Sequence, residues 1–250
     1  MTDEDQSMKT LGRLPPEAFG KLVLPSIAPD IVAGFKALPD LTGMTSDAMD
    51  ELGIHSAAIP GGVLKPTDPA ARMVGRALTV LNVARAEAPA EAAASGKSLM
   101  ADVEAHNLAE DGDVLVLQGI DHISNMGSII ASIARRQGEV GAIVDGAVRD
   151  ITHSRAIGYP IWSRSVSPIT GKWRIRTAAV NVDVVICGVK VSPGDLIVAD
   201  EVGVCVVPHR HMRAVLERAG QIAASEEIRQ REIVDGAPIN QVMQRRRPLA

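Results

Sequence analysis

Between residues 110 and 150 the hydrophobic pattern changes period twice, and each change marks an element. Val114-Leu115-Val116-Leu117 is an unbroken apolar run behind the turn residues Glu110-Asp111-Gly112-Asp113, the mark of a strand buried on both faces. From Gly127 to Gly138 the apolar residues Ile129, Ile130, Ile133 and Ala134 fall at helical spacing, and Gly138 closes the helix. The pattern then returns to a buried strand, Val140 to Val148, which ends at Arg149-Asp150. Strand, helix and strand in this order predict layered β/α packing.

The same reading places a strand at residues 75–85 and helix over the Ala- and Glu-rich residues 88–108. It places short strands at 182–191, 196–199 and 204–207 as a meander, then a long amphipathic helix over 209–234. Thr45-Ser46-Asp47-Ala48 reads as a capped helix start, and residues 60–69 as a loop or hairpin. Gly112-Asp113 and Gly194-Asp195 each precede four apolar residues, which is shared turn chemistry rather than a repeat. Residues 1–18 form a polar, Pro-punctuated extension, mobile or draped on a partner; 19–240 form one domain; 241–250 form a basic tail containing Arg245-Arg246-Arg247.

Composition sharpens this picture. At 250 residues and 46% hydrophobic content the chain can bury one sizeable core. With two Phe, two Trp and one Tyr, that core must be Val, Ile, Leu and Ala, and base stacking on aromatic platforms is not expected. A net charge of −4 with interspersed signs argues against a nucleic-acid partner. Cys187 and Cys205 lie in apolar runs without a CxxC or Cys/His spacing, so a reducing, cytoplasmic location is expected. The acidic start Met1-Thr2-Asp3-Glu4-Asp5 lacks a following apolar segment, and no stretch reaches the length of a span, so neither export nor a membrane is expected. There is no phosphate-binding Gly-rich loop and no Gly-x-Ser-x-Gly elbow, and no turn suited to a methyl-donor nucleotide.

The candidate chemistry centres on Arg149 and Asp150. Arg149 offers a planar fork to a carboxylate, and Asp150 offers hard oxygen to Mg²⁺ or Mn²⁺. Neighbours in an extended segment point apart, so the backbone must turn for both to serve one site, and Asp145-Gly146 is the expected turn. The first-turn N–H groups of Gly127, Ser128, Ile129 and Ile130 are expected to cradle an anion at the same edge of the fold. Asp121-His122 lies in the preceding loop, near that cradle. His209 and His211, two apart at a helix start, do not share a face and are not a metal pair.

The segment from Asp111 to Arg155 carries Gly112-Asp113, Gly127, Gly138, Val144-Asp145-Gly146 and Arg149-Asp150-Ile151. Outside it lie Ser46-Asp47-Ala48, Tyr159-Pro160-Ile161, Ser192-Pro193-Gly194-Asp195 and Ala199-Asp200-Glu201. Together these resemble the RraA-like family, which includes the class II 4-hydroxy-4-methyl-2-oxoglutarate / 4-carboxy-4-hydroxy-2-oxoadipate aldolases, over roughly residues 40–240. The resemblance implies an α/β fold, a single-domain layered β/α sandwich of the swivelling β/β/α type. It implies a homotrimer or homohexamer with sites between subunits. It also implies retro-aldol cleavage of a 2-oxo acid with Asp150 anchoring Mg²⁺ (or Mn²⁺), Arg149 gripping the substrate, and Glu226 or Glu227 of a neighbouring subunit approaching the metal's waters; Asp121, from its place in the loop before Gly127, is a further candidate for contact with the substrate or with those waters. The family's aldolases usually have an acidic residue where this chain has Ser128, which can cap the helix or bond the substrate instead. Two alternatives share the resemblance: decarboxylation of an oxaloacetate-type 2-oxo acid in the same site, and a non-catalytic ring that binds a ribonuclease.

Overall fold

The computed structural model describes residues 10–244. In chain order its helices are α1 (Pro29–Lys36), α2 (Leu41–Glu51), α3 (Pro89–Ala94), α4 (Val103–Leu108), α5 (Ser128–Arg136), α6 (Ile151–Ala156), α7 (Met212–Val234) and α8 (Ile239–Gln244). Its strands are β1 (Ala58–Pro60), β2 (Lys65–Pro66), β3 (Met73–Ala84), β4 (Asp113–Gln118), β5 (Gly141–Val148), β6 (Ile161–Val166), β7 (Ile175–Val180), β8 (Val184–Ile186), β9 (Val189–Val191), β10 (Leu196–Ala199) and β11 (Gly203–Val207).

A mixed sheet runs β1-β11-β10-β3-β4-β5-β6-β2, with β7 also on β3, and β8-β9 is a separate hairpin. The long β3 organises it. One edge of β3 pairs antiparallel with β10 through Met73 to Arg76 and with β7 through Val80 to Ala84, while Arg76 to Leu81 pairs parallel with β4. Strands β3, β4, β5 and β6 are parallel, which requires crossovers, and α5 and α6 supply the last two. Their unbroken apolar runs follow from burial on both faces. On one face Met212, Val215, Ala219 and Ile222 of α7 and Met44, Ala48 and Met49 of α2 cover Val198, Cys205 and Val207. On another, Ala131 and Ala134 of α5 pack with Leu115, Leu117, Ala142 and Val144. Among the described residues no helix is long and apolar enough to cross a membrane.

Several expectations change in detail. The helix expected over 88–108 is two short helices, because Gly96 takes φ +65 and ends the first. Helix α2 starts four residues before Thr45: Asp40 caps it through Gly43 N (3.3 Å), and the Thr45 hydroxyl donates to Leu41 O (2.6 Å) inside it. The 60–69 segment carries β2, which pairs with β6, while β1 just before it pairs with β11, so the two do not form a hairpin together. Only β8 with β9 and β10 with β11 keep the expected meander. Helix α7 begins at Met212 after a 3-10 turn at His209–His211. Of the N-terminal extension, residues 1–9 lie outside the described residues; Leu11 and Arg13 donate their N–H groups to the buried Glu104 carboxylate at 2.7 and 2.5 Å. In the basic tail, residues 245–250, including Arg245-Arg246-Arg247, lie outside the described residues, and α8 runs to Gln244.

A buried ionisable cluster stands beneath α5. His106 Nδ1 lies 2.6 Å from Glu139 Oε1, and the Tyr159 hydroxyl donates to Glu139 Oε2 at 3.0 Å. Burial disfavours a charged His106, but the charge and hydrogen bond of Glu139, with Asp102, outweigh it and raise its pKa above 6.5. That stabilisation is complete below 6.5 and is lost as pH rises through the raised folded-state value. We expect the melting temperature to fall with pH from 6.5 upward, and His106→Gln to flatten this slope. A wild-type melting temperature that stays level there would show that His106 carries no proton in the folded state.

Candidate active site

The C-terminal ends of β4 and β5 release two loops that meet, at the sheet edge where open parallel sheets bind ligands. Residues 119–126 after β4 are fixed by Asn125, which is fully buried. Its amide accepts from Ile120 N (3.1 Å) and donates to Ile120 O and Ile123 O (both 2.9 Å), while its backbone N–H donates to Ala147 O on β5 (2.8 Å). A Cβ on Gly119 or Gly146 would fall 2.6 or 2.4 Å from the Asn125 amide. Gly146 is therefore present for close packing. The turn expected at Asp145-Gly146 is not there: both residues lie within β5, at an irregularity where pairing with β6 shifts between Val144 and Ala147. Asp145 instead pairs with Arg164 and accepts Cys187 N at 2.6 Å. Burial, with the Asp145 charge, pushes the Cys187 thiol up to about 12, so it is not a nucleophile at neutral pH.

The backbone turns at Asp150 itself, whose φ of 58 and ψ of 33 are left-handed. Aspartate tolerates that region better than most residues. The turn lets both neighbouring side chains reach the start of α5. Arg149 N donates to Met126 O (3.0 Å), Asp150 Oδ2 accepts Ser128 N (2.9 Å), and Arg149 Nε stands 3.6 Å from Asp150 Oδ2. Gly127, the extended N-cap, leaves room for this: a Cβ there would meet Asp150 Oδ2 at 2.8 Å and Arg149 Nε at 3.0 Å. Of the expected anion cradle, the Ser128 N–H is thus occupied by the protein's own carboxylate. That hydrogen bond is the main cause that holds Asp150 below the usual carboxylate range, aided by the Ser128 hydroxyl and by the charges of Arg149 and His153. His153 is held from α5 by Ser132, Nε2 to Oγ 2.8 Å.

Residues 126–130, Arg149 and Asp150 line a cleft of about 150 Å³ with Met100, Ser124, Asn125, Thr170, Gly171 and Lys172. The Arg149 and Asp150 side chains are 44% and 38% exposed, so a small anion can reach both. Among the described residues no cluster of three or more His, Cys, Asp or Glu could cage a metal. One carboxylate facing a cleft fits a hard cation that keeps most of its waters, as Mg²⁺ does, and not a thiolate or imidazole site. The other candidates are not brought together in this chain. Asp121, Glu226 and Glu227 do not line the cleft; Glu226 pairs with Arg229 (3.6 Å) and Glu227 with Arg231 (2.7 Å). Sequence reading missed Lys172, Thr170 and Asn125. The first two arrive on the connection between β6 and β7, and Asn125 gave its only hint in the flanking glycines it packs on.

Gly127→Ala is expected to displace the Asp150 carboxylate and the Arg149 guanidinium while leaving the helix intact. A loss in kcat/KM on the order of 10²-fold, typical of a misplacement near 1 Å, should accompany a nearly unchanged melting temperature. Full activity in Gly127→Ala would show that the close approach is unimportant.

A family model described as RraA-like, Aldolase/RraA, matches residues 42–206. A protein of Halalkalibacterium halodurans named "Putative 4-hydroxy-4-methyl-2-oxoglutarate aldolase" is 33% identical over 208 residues, 82% of this chain and 90% of that one. Among solved structures, an uncharacterised protein of Pseudomonas syringae pv. tomato superposes with a TM-score of 0.73 at 28% identity, over 88% of this chain and 99% of that one. RraAS2 of Streptomyces coelicolor, described as an unusual member of the RNase ES inhibitor RraA protein family, gives a TM-score of 0.69 at 24% identity over 83% and 99%, a likeness in fold alone. The expected α/β layered fold is the one observed.

Proposed function

Since the chain belongs to the RraA-like (Aldolase/RraA) family, we propose that it is a divalent-metal-dependent lyase cleaving a 4-hydroxy-2-oxo acid to pyruvate and a second oxo acid or aldehyde. The observation that carries this reading is the convergence of Arg149 and Asp150 on the glycine-opened start of α5 within one cleft. In the proposed reaction the 4-hydroxyl loses its proton, the C3–C4 bond breaks, and its electron pair becomes an enolate that takes a proton at C3 to give pyruvate. Arg149 would grip the 2-oxo acid with its fork, and the N–H groups of Gly127, Ile129 and Ile130, residues that line the same cleft, would meet the same carboxylate. Lys172 adds a second cation for a distal carboxylate, and its ammonium is steadied 4.4 Å from the Trp173 ring centroid. Asp150 would hold Mg²⁺ or Mn²⁺, and Glu226 or Glu227 of a neighbouring subunit remain the proposed partners of its waters; Asp121, outside the cleft, does not. The bound ion supplies a Lewis acid against the negative charge that develops on the 2-oxo oxygen. A homotrimer or homohexamer with the cleft between subunits follows from the same reading, which the named aldolase relative supports only in general.

Screening purified protein with Mg²⁺ or Mn²⁺ for pyruvate release from a panel of 4-hydroxy-2-oxo acids and oxaloacetate tests the proposal. Release from oxaloacetate alone would favour the decarboxylase, and release from none would leave a ribonuclease-binding ring as the better reading.

The serine at position 128 gives a test of the ion's position. Because the Ser128 hydroxyl and N–H already face Asp150, Ser128→Asp adds negative charge beside that carboxylate and should tighten Mg²⁺ binding in a calorimetric titration. Equal or weaker affinity would place the ion away from position 128.

A further inference from the structure

Next to the cleft lies a second groove of about 610 Å³, walled by Gly12 to Leu14, residues 96–101 and Arg176-Thr177. Three exposed cations, Arg13, Lys97 and Arg176, line it, and none of its described lining residues is acidic. Met100 belongs to both walls, so the groove and the cleft adjoin. The groove is built rather than loose. Thr177 N donates to Leu99 O (3.0 Å), Ala101 N donates to Thr177 Oγ1 (2.8 Å), and Glu104 holds the Leu11 and Arg13 N–H groups. Beside it the cleft carries Lys172 and Arg149, and the guanidinium of Arg174 donates to Thr170 O of the cleft wall at 3.2 Å.

A chain of net charge −4 repels a dicarboxylate at long range unless its own surface reverses the sign locally. We infer that this groove is an anion-gathering vestibule: Arg13, Lys97 and Arg176 hold a carboxylate-bearing 2-oxo acid in encounter and raise its concentration beside Met100, before Arg149 and Lys172 take it. The inference rests on the proposed lyase reading for the identity of the anion. Cations lining a concave wall focus the field, and they act within a screening length of about 8–10 Å at ordinary ionic strength, so the effect must weaken with salt.

The experiment compares wild type with the triple variant R13Q/K97Q/R176Q, using pyruvate release across ionic strength and calorimetric titration with 2-oxoglutarate. Wild-type kcat/KM should fall with salt. The variant should start about tenfold lower at low salt and stay nearly flat, with the change carried by KM. It should also bind 2-oxoglutarate more weakly. Identical kcat/KM and identical salt slopes in the two proteins would overturn the inference, as would a wild-type rate insensitive to salt. Should wild type release no pyruvate from any substrate, the lyase reading fails, and the vestibule stands or falls on the titration alone: equal affinity for 2-oxoglutarate in both proteins removes it. The three side chains are exposed, so melting curves should coincide; if they do not, Lys97→Gln alone carries the same comparison with a smaller change.

Discussion

Arg149→Lys should lower kcat/KM on the order of 10²-fold or more while leaving the fold intact, because lysine keeps the charge and loses the fork. The arginine's backbone N–H, donated to Met126 O at 3.0 Å, is unaffected by the exchange, and its half-exposed side chain contributes little to the core. Steady-state kinetics beside a melting curve decide the matter. Near wild-type kinetics would make Arg149 a structural residue and remove the carboxylate grip from the mechanism.

Asp150→Asn should cost more. Asparagine tolerates the left-handed φ of 58 and preserves the turn, so the exchange isolates the charge. A Lewis acid contributes several kcal/mol to such a transition state, so loss of its anchor should reduce turnover on the order of 10³-fold, and excess chelator should do the same to wild type. Restoration of chelated wild type by Mg²⁺, and failure of Mg²⁺ to restore Asp150→Asn, completes the pattern. Because the Ser128 N–H, before any other cause, keeps the Asp150 carboxyl below its usual range, the ionised form persists into mildly acidic solution; its contribution is lost only as pH falls through that depressed value. Undiminished turnover in chelator would sink the metal, and trapping by borohydride would then point to a Schiff-base lysine.

The strand-helix-strand unit around the site was legible because each element has one unbroken period: four apolar residues for β4, Ile129 to Ala134 for α5, and the apolar run of β5. Arg149, Asp150 and Gly127 followed from it. The turn at Asp150 was hidden, since an Asp-Gly pair is a strong local signal and nothing local says that Gly146 instead makes room for the Asn125 amide. Lys172 and the vestibule depend on β7 pairing with the second half of β3, a contact between segments far apart in sequence that no local periodicity encodes. The break at Gly96 was visible as a residue but not as a helix end, because the surrounding alanines favour helix on both sides.

The most direct test of the central claim needs no knowledge of the full substrate. If the cleft activates a 2-oxo acid toward its enolate, pyruvate itself should enolise there, and its methyl protons should exchange with deuterium in heavy water, followed by NMR. We predict exchange well above the buffer rate with wild type and Mg²⁺, and exchange at the buffer rate with chelator, with Arg149→Lys or with Asp150→Asn. Exchange no faster than buffer in the wild type with Mg²⁺ present would contradict enolate chemistry at this site.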